Sequence, residues 1–146
     1  MTKSSRSRIS RRLRVIAGPA EEKKHVPWFS MTAKAGVGEV HIFDFIDGYG
    51  VNGRSFLKEL KALGDVSQLN VHINSPGGDV FEGNTIYNLL KGHKAKVTVY
   101  IDGLAASIAS VIAMAGDTII MPKNAMMMIH DPATVAVGTA ENMRKT

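Results

Sequence analysis

Three short segments of the chain carry residue types that can perform acyl transfer. The first runs from Ile73 to Asp79 and contains the adjacent pair Gly77 and Gly78. Two glycines in a row let backbone N–H groups turn outward at positive φ and let another backbone approach closely, so such a turn can hold an anion or an oxyanion. It can equally be a plain Pro-Gly-Gly turn into a helix. The second segment, Asp102 to Ser110, places Ser107 just past a strand and a glycine turn, at the start of a stretch of Ala, Ile and Ser. A hydroxyl there is exposed, and the N–H groups of the following turn offer partial positive charge to a developing oxyanion. The competing reading is a helix cap or a small residue that permits close packing. It is not a Gly-x-Ser-x-Gly elbow, because Ala105 and Ala109 stand where the glycines would be.

The third segment, Ala125 to Pro132, ends an apolar run with His130, followed by Asp131 and Pro132. An imidazole can take the proton of a serine hydroxyl and return it to a leaving amine. A hydrogen-bonded residue at a strand end is the alternative, and the preceding methionines read as core.

All three segments fall at predicted strand ends, where α/β sheets place their sites. Val40 and Ile42, continuing to Phe43, Phe45 and Ile46, form a β-rich run ended by Asp47, Gly48 and Gly50. Phe56, Leu57, Leu60 and Leu63 recur at helical spacing, with Asn52 or Ser55 as cap and Gly64 as stop. Leu69, Val71 and Ile73 alternate with polar residues as a strand does. A helix follows from Val80 to Leu90, then a strand through Val97, Val99 and Ile101, stopped by Asp102 and Gly103. Small residues from Ala105 to Ala115 predict a packed helix, with strands over 118–121 and 126–129. A Val135 and Val137 alternation and a helix start at Thr139 to Lys145 come last. Alternating strands and helices predict an α/β fold with a mostly parallel sheet covered by helices. Gly18 to Gly38 shows no sustained period and reads as an extended lead-in whose aromatics, Trp28 and Phe29, dock on the body.

Composition narrows the chemistry. The 146 residues include no cysteine, which excludes a disulfide scaffold, a thiolate nucleophile and a cysteine-based metal site. His25, His41, His72 and His93 show no spacing that sets two ligands on one face, so neither a metal nor another cofactor is expected. Nucleotide-binding glycine motifs are missing. The formal charge of +5 comes from the amino-terminal arm, where Lys3, Arg6, Arg8, Arg11, Arg12 and Arg14 precede any acid. Residues 1–25 read as a basic, disordered arm and 26–146 as one domain, so nucleic acid is not an expected partner except through the arm. With no apolar run long enough to span a bilayer, and no apolar stretch of a signal peptide, a cytoplasmic protein is the expectation.

Taken together, INSPGGDVFEG, DGLAASIAS and MMMIHDP, in this order, resemble the proteolytic subunit of the Clp protease, especially its phage-encoded, head-maturation-like relatives. The match runs from about Val40 to Pro132. The resemblance implies a crotonase-like α/β spiral of ββα units and assembly into stacked rings around a chamber. It implies Ser107 as nucleophile, His130 as general base, and the N–H groups of Gly78 and Ile108 as oxyanion hole. Substrates would be peptides or unfolded protein, bound as an added strand beside the segment after the Gly-Gly turn. An AAA+ unfoldase or a phage capsid protein is the implied partner. The family's triad acid lies well beyond the histidine, after a helix that interlocks the rings. No residue here matches it, so the chain is expected to be truncated at its carboxyl end and to form no stable double ring. Asp102 and Asp117 are acids by type only, and Asp131 should point away from His130. Two other readings stay open: a ring subunit of this fold with impaired turnover, and a crotonase-type acyl-CoA enzyme.

Overall fold

A computed structural model describes residues 27–49, 51–133, 138, 139 and 141. The basic arm and the Val135 and Val137 alternation lie outside the described residues, as does most of the Thr139 to Lys145 stretch. Strand β1 (Phe29–Lys34) turns through Ala35 and Gly36, at φ 50° and 78°, into antiparallel β2 (Val37–Phe43). Two successive residues at positive φ make a turn whose twist matches that of the strands it joins. Helix α1 (Gly53–Ala62), β3 (Gln68–Ser75), α2 (Val80–Lys91), β4 (Lys96–Ala106), α3 (Ile108–Ala113), β5 (Thr118–Ile120) and β6 (Met126–Met128) follow.

The sheet order is β1-β2-β3-β4-β5, and β6 also pairs with β4; every pairing except β1 with β2 is parallel. This is the expected α/β architecture, a mostly parallel sheet with helices packed on it. The length of β4 gives it a particular role. Its residues 98–100 pair with β5 and its residues 104–106 with β6, so two short strands follow one another along the same edge.

Strand alternation builds the core. Val40, Ile42, Leu69, Val71, Ile73, Val97, Val99 and Ile101 are buried on one face, against Phe56 and Leu60 of α1 and Ile86 and Leu90 of α2. Asn52 caps α1 by accepting from Ser55 N–H at 3.2 Å, and Asp79 caps α2 by accepting from Phe81 and Glu82 N–H at 2.8 and 2.9 Å. The alternate residues of the strands form a polar second face. There the register sets His41 beside His72 and His72 beside Tyr100, with ring centroids 4.9 and 4.8 Å apart. His41 and His72 thus share a face after all. Sequence spacing misses this because the neighbours come from different strands.

Other expectations need correction. The lead-in is not wholly irregular: β1 occupies 29–34, and Trp28 and Phe29 are buried against Phe56 as expected. The β2 strand ends at Phe43; Phe45 is exposed, and only Ile46 of that run returns to the core. Asp102 and Gly103 do not stop β4, and the small-residue helix starts at Ile108 rather than Ala105. The methionines of β6 are not simply core: Met127 is partly buried, whereas Met126 and Met128 are 65% and 45% exposed. They lie on a short edge strand whose pairing is to β4 alone among the described residues.

Candidate active site

The continuation of β4 past Gly103 brings the three segments together. At Ile73 and Ser75 the β3–β4 register shifts, and the Asn74 side-chain oxygen accepts from Leu104 N–H at 3.2 Å where the ladder is interrupted. β4 then runs beside β6 and delivers Ser107 to the end of the sheet. Ser107 has φ 53° and ψ −129°, a conformation that non-glycine residues rarely adopt. Such a residue costs about 1–3 kcal/mol and persists only when its surroundings hold it. Here the Ser107 N–H donates to Met128 C=O at 2.8 Å, and its own C=O accepts from Ser110 N–H at 3.0 Å and Ser110 Oγ at 2.6 Å.

His130 Nε2 lies 2.8 Å from Ser107 Oγ. This is hydrogen-bond reach for proton transfer from the hydroxyl to the ring. Ser107 is half-buried and His130 exposed, so the pair opens to solvent.

The Gly-Gly turn packs directly on Ser107. A Cβ at Gly77 would sit 2.7 Å from both the Ala106 carbonyl oxygen and Ser107 Cβ. Gly78 has φ 151°, and a Cβ there would overlap the carbonyl oxygen of Ile46. Ile46 grips the turn as a one-residue parallel bridge: its N–H donates to Gly77 C=O at 2.9 Å, and its C=O accepts from Asp79 N–H at 2.8 Å. Both bonds skip Gly78, which leaves the N–H and C=O of Gly78 on the side away from Ile46. The N–H groups of Gly78 and Ile108 donate to no atom among the described residues. Ile108 directly follows Ser107 in the chain, and Gly78 follows Gly77, whose position is in contact with Ser107 and Ile108.

Several positioning residues escaped sequence reasoning. Ser75 is fully buried; its hydroxyl donates to Asp44 C=O at 2.7 Å and accepts from Gly77 N–H at 3.1 Å, pinning the turn. Gly83 of α2 lies so close to Ile108 that a Cβ would overlap the isoleucine side chain. Asn84 lines the cavity beside Ser107. A serine in a turn, or a glycine and an asparagine inside a helix, carries no such signal on its own.

The acids of the sequence reading go elsewhere. Both oxygens of Asp102 lie 3.0 Å from His72 Nδ1, and Asp117 accepts from Val97 N–H at 2.9 Å. Among the described residues no carboxylate, Asp131 included, forms a hydrogen bond or ion pair with the His130 ring.

A groove leads through the site. A cavity of about 230 Å³ is lined by Val80, Ile108, Val111, Ile129 and Pro132 together with the serine and histidine. A neighbouring one of about 480 Å³ runs past Gly78 and Phe81 and shares Val80 and Pro132 with the first. A larger cavity of about 550 Å³, beside Leu57, Leu89 and His93, includes none of the three segments.

The family model described as Clp protease matches residues 54–146. This chain belongs to the Clp protease family. It is 40% identical over 81 residues to the ATP-dependent Clp protease proteolytic subunit of Leuconostoc citreum, covering 54% of this chain and 40% of that one. To the subunit of the same description from Bacteroides fragilis it is 33% identical over 105 residues, covering 69% of this chain and 50% of the relative. The chain therefore spans half the length, or less, of these curated relatives. Among solved structures, a ClpP1 mutant from Listeria monocytogenes superposes with a TM-score of 0.59 at 31% identity, covering 73% of this chain and 61% of that one. Among the described residues of this Clp protease family member, no helix is long and apolar enough to cross a membrane.

Proposed function

We propose that this Clp family chain is a serine-type endopeptidase in which Ser107 is the nucleophile and His130 the general base. The observation that carries the reading is the 2.8 Å hydrogen bond between His130 Nε2 and Ser107 Oγ, beside two open backbone donors. As Ser107 Oγ attacks the scissile carbonyl, its proton passes to His130 Nε2. The N–H groups of Gly78 and Ile108 receive the oxyanion. The imidazolium then protonates the leaving amine, and a water deprotonated by the same ring hydrolyses the acyl ester.

Substrates would be peptides or unfolded polypeptide, a capsid precursor being one such case. They would lie extended along the groove past Gly78, with main-chain hydrogen bonds supplying much of the affinity. A ring of such subunits, fed by an AAA+ unfoldase in the cytoplasm, is the assembly in which this activity would operate.

One observation favours a second reading, a subunit with impaired turnover: the His130 ring has no carboxylate partner among the described residues. Replacing the acid of a serine triad by its amide costs about 10⁴-fold in kcat. A crotonase-type enzyme would use the two donors without needing the serine and histidine pair, so the pair argues against it. A fluorophosphonate probe separates the readings. It should label the protein and fail to label Ser107→Ala; a folded protein that takes no label contradicts the peptidase assignment.

A further inference from the structure

The cavity beside Ser107 is walled mainly by aliphatic groups, Val80, Ile108, Val111, Ile129 and Pro132. Its polar lining side chains are Ser107, Ser110, His130 and Asn84, and three of these are already engaged. Ser107 and His130 bond to each other, and the Ser110 hydroxyl donates to Ser107 C=O. Asn84 has no side-chain partner among the described residues, and no charged side chain lines the cavity.

Asn84 reaches this place through the helix that carries it. It lies one turn beyond Val80 on α2, so the two residues share a face. The absence of a side chain at Gly83 lets α2 settle onto Ile108, which brings that face beside the nucleophile.

We infer that Asn84 is a specificity-determining residue, whose free amide selects an uncharged, hydrogen-bonding side chain, glutamine above all, on the acyl side of the scissile bond. The inference rests on the peptidase reading of the site. The aliphatic walls suit the methylene stem of such a side chain, and its terminal amide can pair with that of Asn84. A purely apolar side chain of the same length would cover the Asn84 amide without replacing its hydrogen bonds to water. A charged one would find no countercharge among the lining groups.

Binding without turnover tests this. Three product-like peptides, identical except for a carboxyl-terminal Gln, Met or Lys, are titrated calorimetrically into the Ser107→Ala protein. The Gln peptide should bind about 3- to 10-fold more tightly, the range of one net hydrogen bond. Adding Asn84→Leu should reverse the order. Adding Asn84→Asp should instead favour a Lys-terminated peptide. Position 84 is exposed on a helix and leucine is the better helix former, so that variant should keep its fold. An unchanged ranking across the three proteins, or no binding of any of these peptides, overturns the inference. Fluorophosphonate labelling of the protein with Ser107 intact is scored separately. Labelling with an unchanged ranking defeats the role of Asn84 alone, whereas the expected ranking without labelling defeats the hydrolytic reading and leaves the pocket assignment standing.

Discussion

The amide of Ser107 donates to the carbonyl of Met128 at 2.8 Å, the bond that closes the Ala106–Met128 pair at the end of the β4–β6 ladder. Met128 is two residues before His130. The hydroxyl and the imidazole are thus carried by two strands zipped together up to the point where their side chains meet. This ladder holds the strained Ser107 backbone and sets the 2.8 Å contact with His130 at the same time.

Glycine adopts the Ser107 backbone angles without the strain that a Cβ imposes. Ser107→Gly should therefore be more stable than Ser107→Ala by about 1–2 kcal/mol, within the range of such backbone strain. Urea denaturation of the two variants measures the difference. Equal midpoints would mean that the positive φ at this position costs nothing.

Ile46 leaves no room for a side chain at Gly78. Gly78→Ala should displace the N–H proposed for the oxyanion, and losing one such donor costs about 10²- to 10³-fold in rate. The rate of fluorophosphonate labelling reads this directly. A variant that labels at the unaltered rate would remove Gly78 from the site.

At the Gly83–Ile108 contact, a larger side chain must push α2 away from α3. Gly83→Val should lower stability by about 1–3 kcal/mol, the usual cost of overpacking. Pairing it with Ile108→Ala, which empties the space, should recover part of that loss. A double-mutant cycle showing simple additivity would argue against direct contact.

Acid sensitivity should have one identifiable contributor away from the site. Burial first, and the neighbouring Lys94 charge second, hold the His93 imidazole below its ordinary pKa of 6.5. Its Nδ1 also accepts from Ala95 N–H at 3.1 Å, a bond that protonation there removes. Below about pH 6.5 the unfolded chain therefore binds this proton more readily than the folded one, and stability declines as pH falls. His93→Gln should flatten the decline in melting temperature as pH falls below about 6.5. A profile as steep as that of the unsubstituted protein would assign the effect to other groups.

Local signals carried much of the fold. Alternation in Leu69-Val71-Ile73 and Val97-Val99-Ile101 marked two central strands, and of the two caps proposed for α1 the structure uses Asn52. Both readings succeed because periodicity and capping depend on residues within one or two turns of each other. Asp102 and Gly103 misled for the complementary reason. Their local preference is for a turn, but ladder bonds to β6 keep the chain extended to Ala106.

The sequence by itself determined the alternation of strands and helices from β2 onward, the apolar faces of β3 and β4, and the three segments able to carry a nucleophile, a base and outward-facing amides. Only the tertiary structure decided that these segments converge, that Asp102 turns to His72 instead of His130, and that Ser75, Gly83 and Asn84 belong to the site's surroundings. The division has a physical cause. Side-chain periodicity and capping are satisfied within a short stretch of chain, whereas register between strands and the approach of one helix to another are set by hydrogen bonds and volumes contributed from distant parts of it.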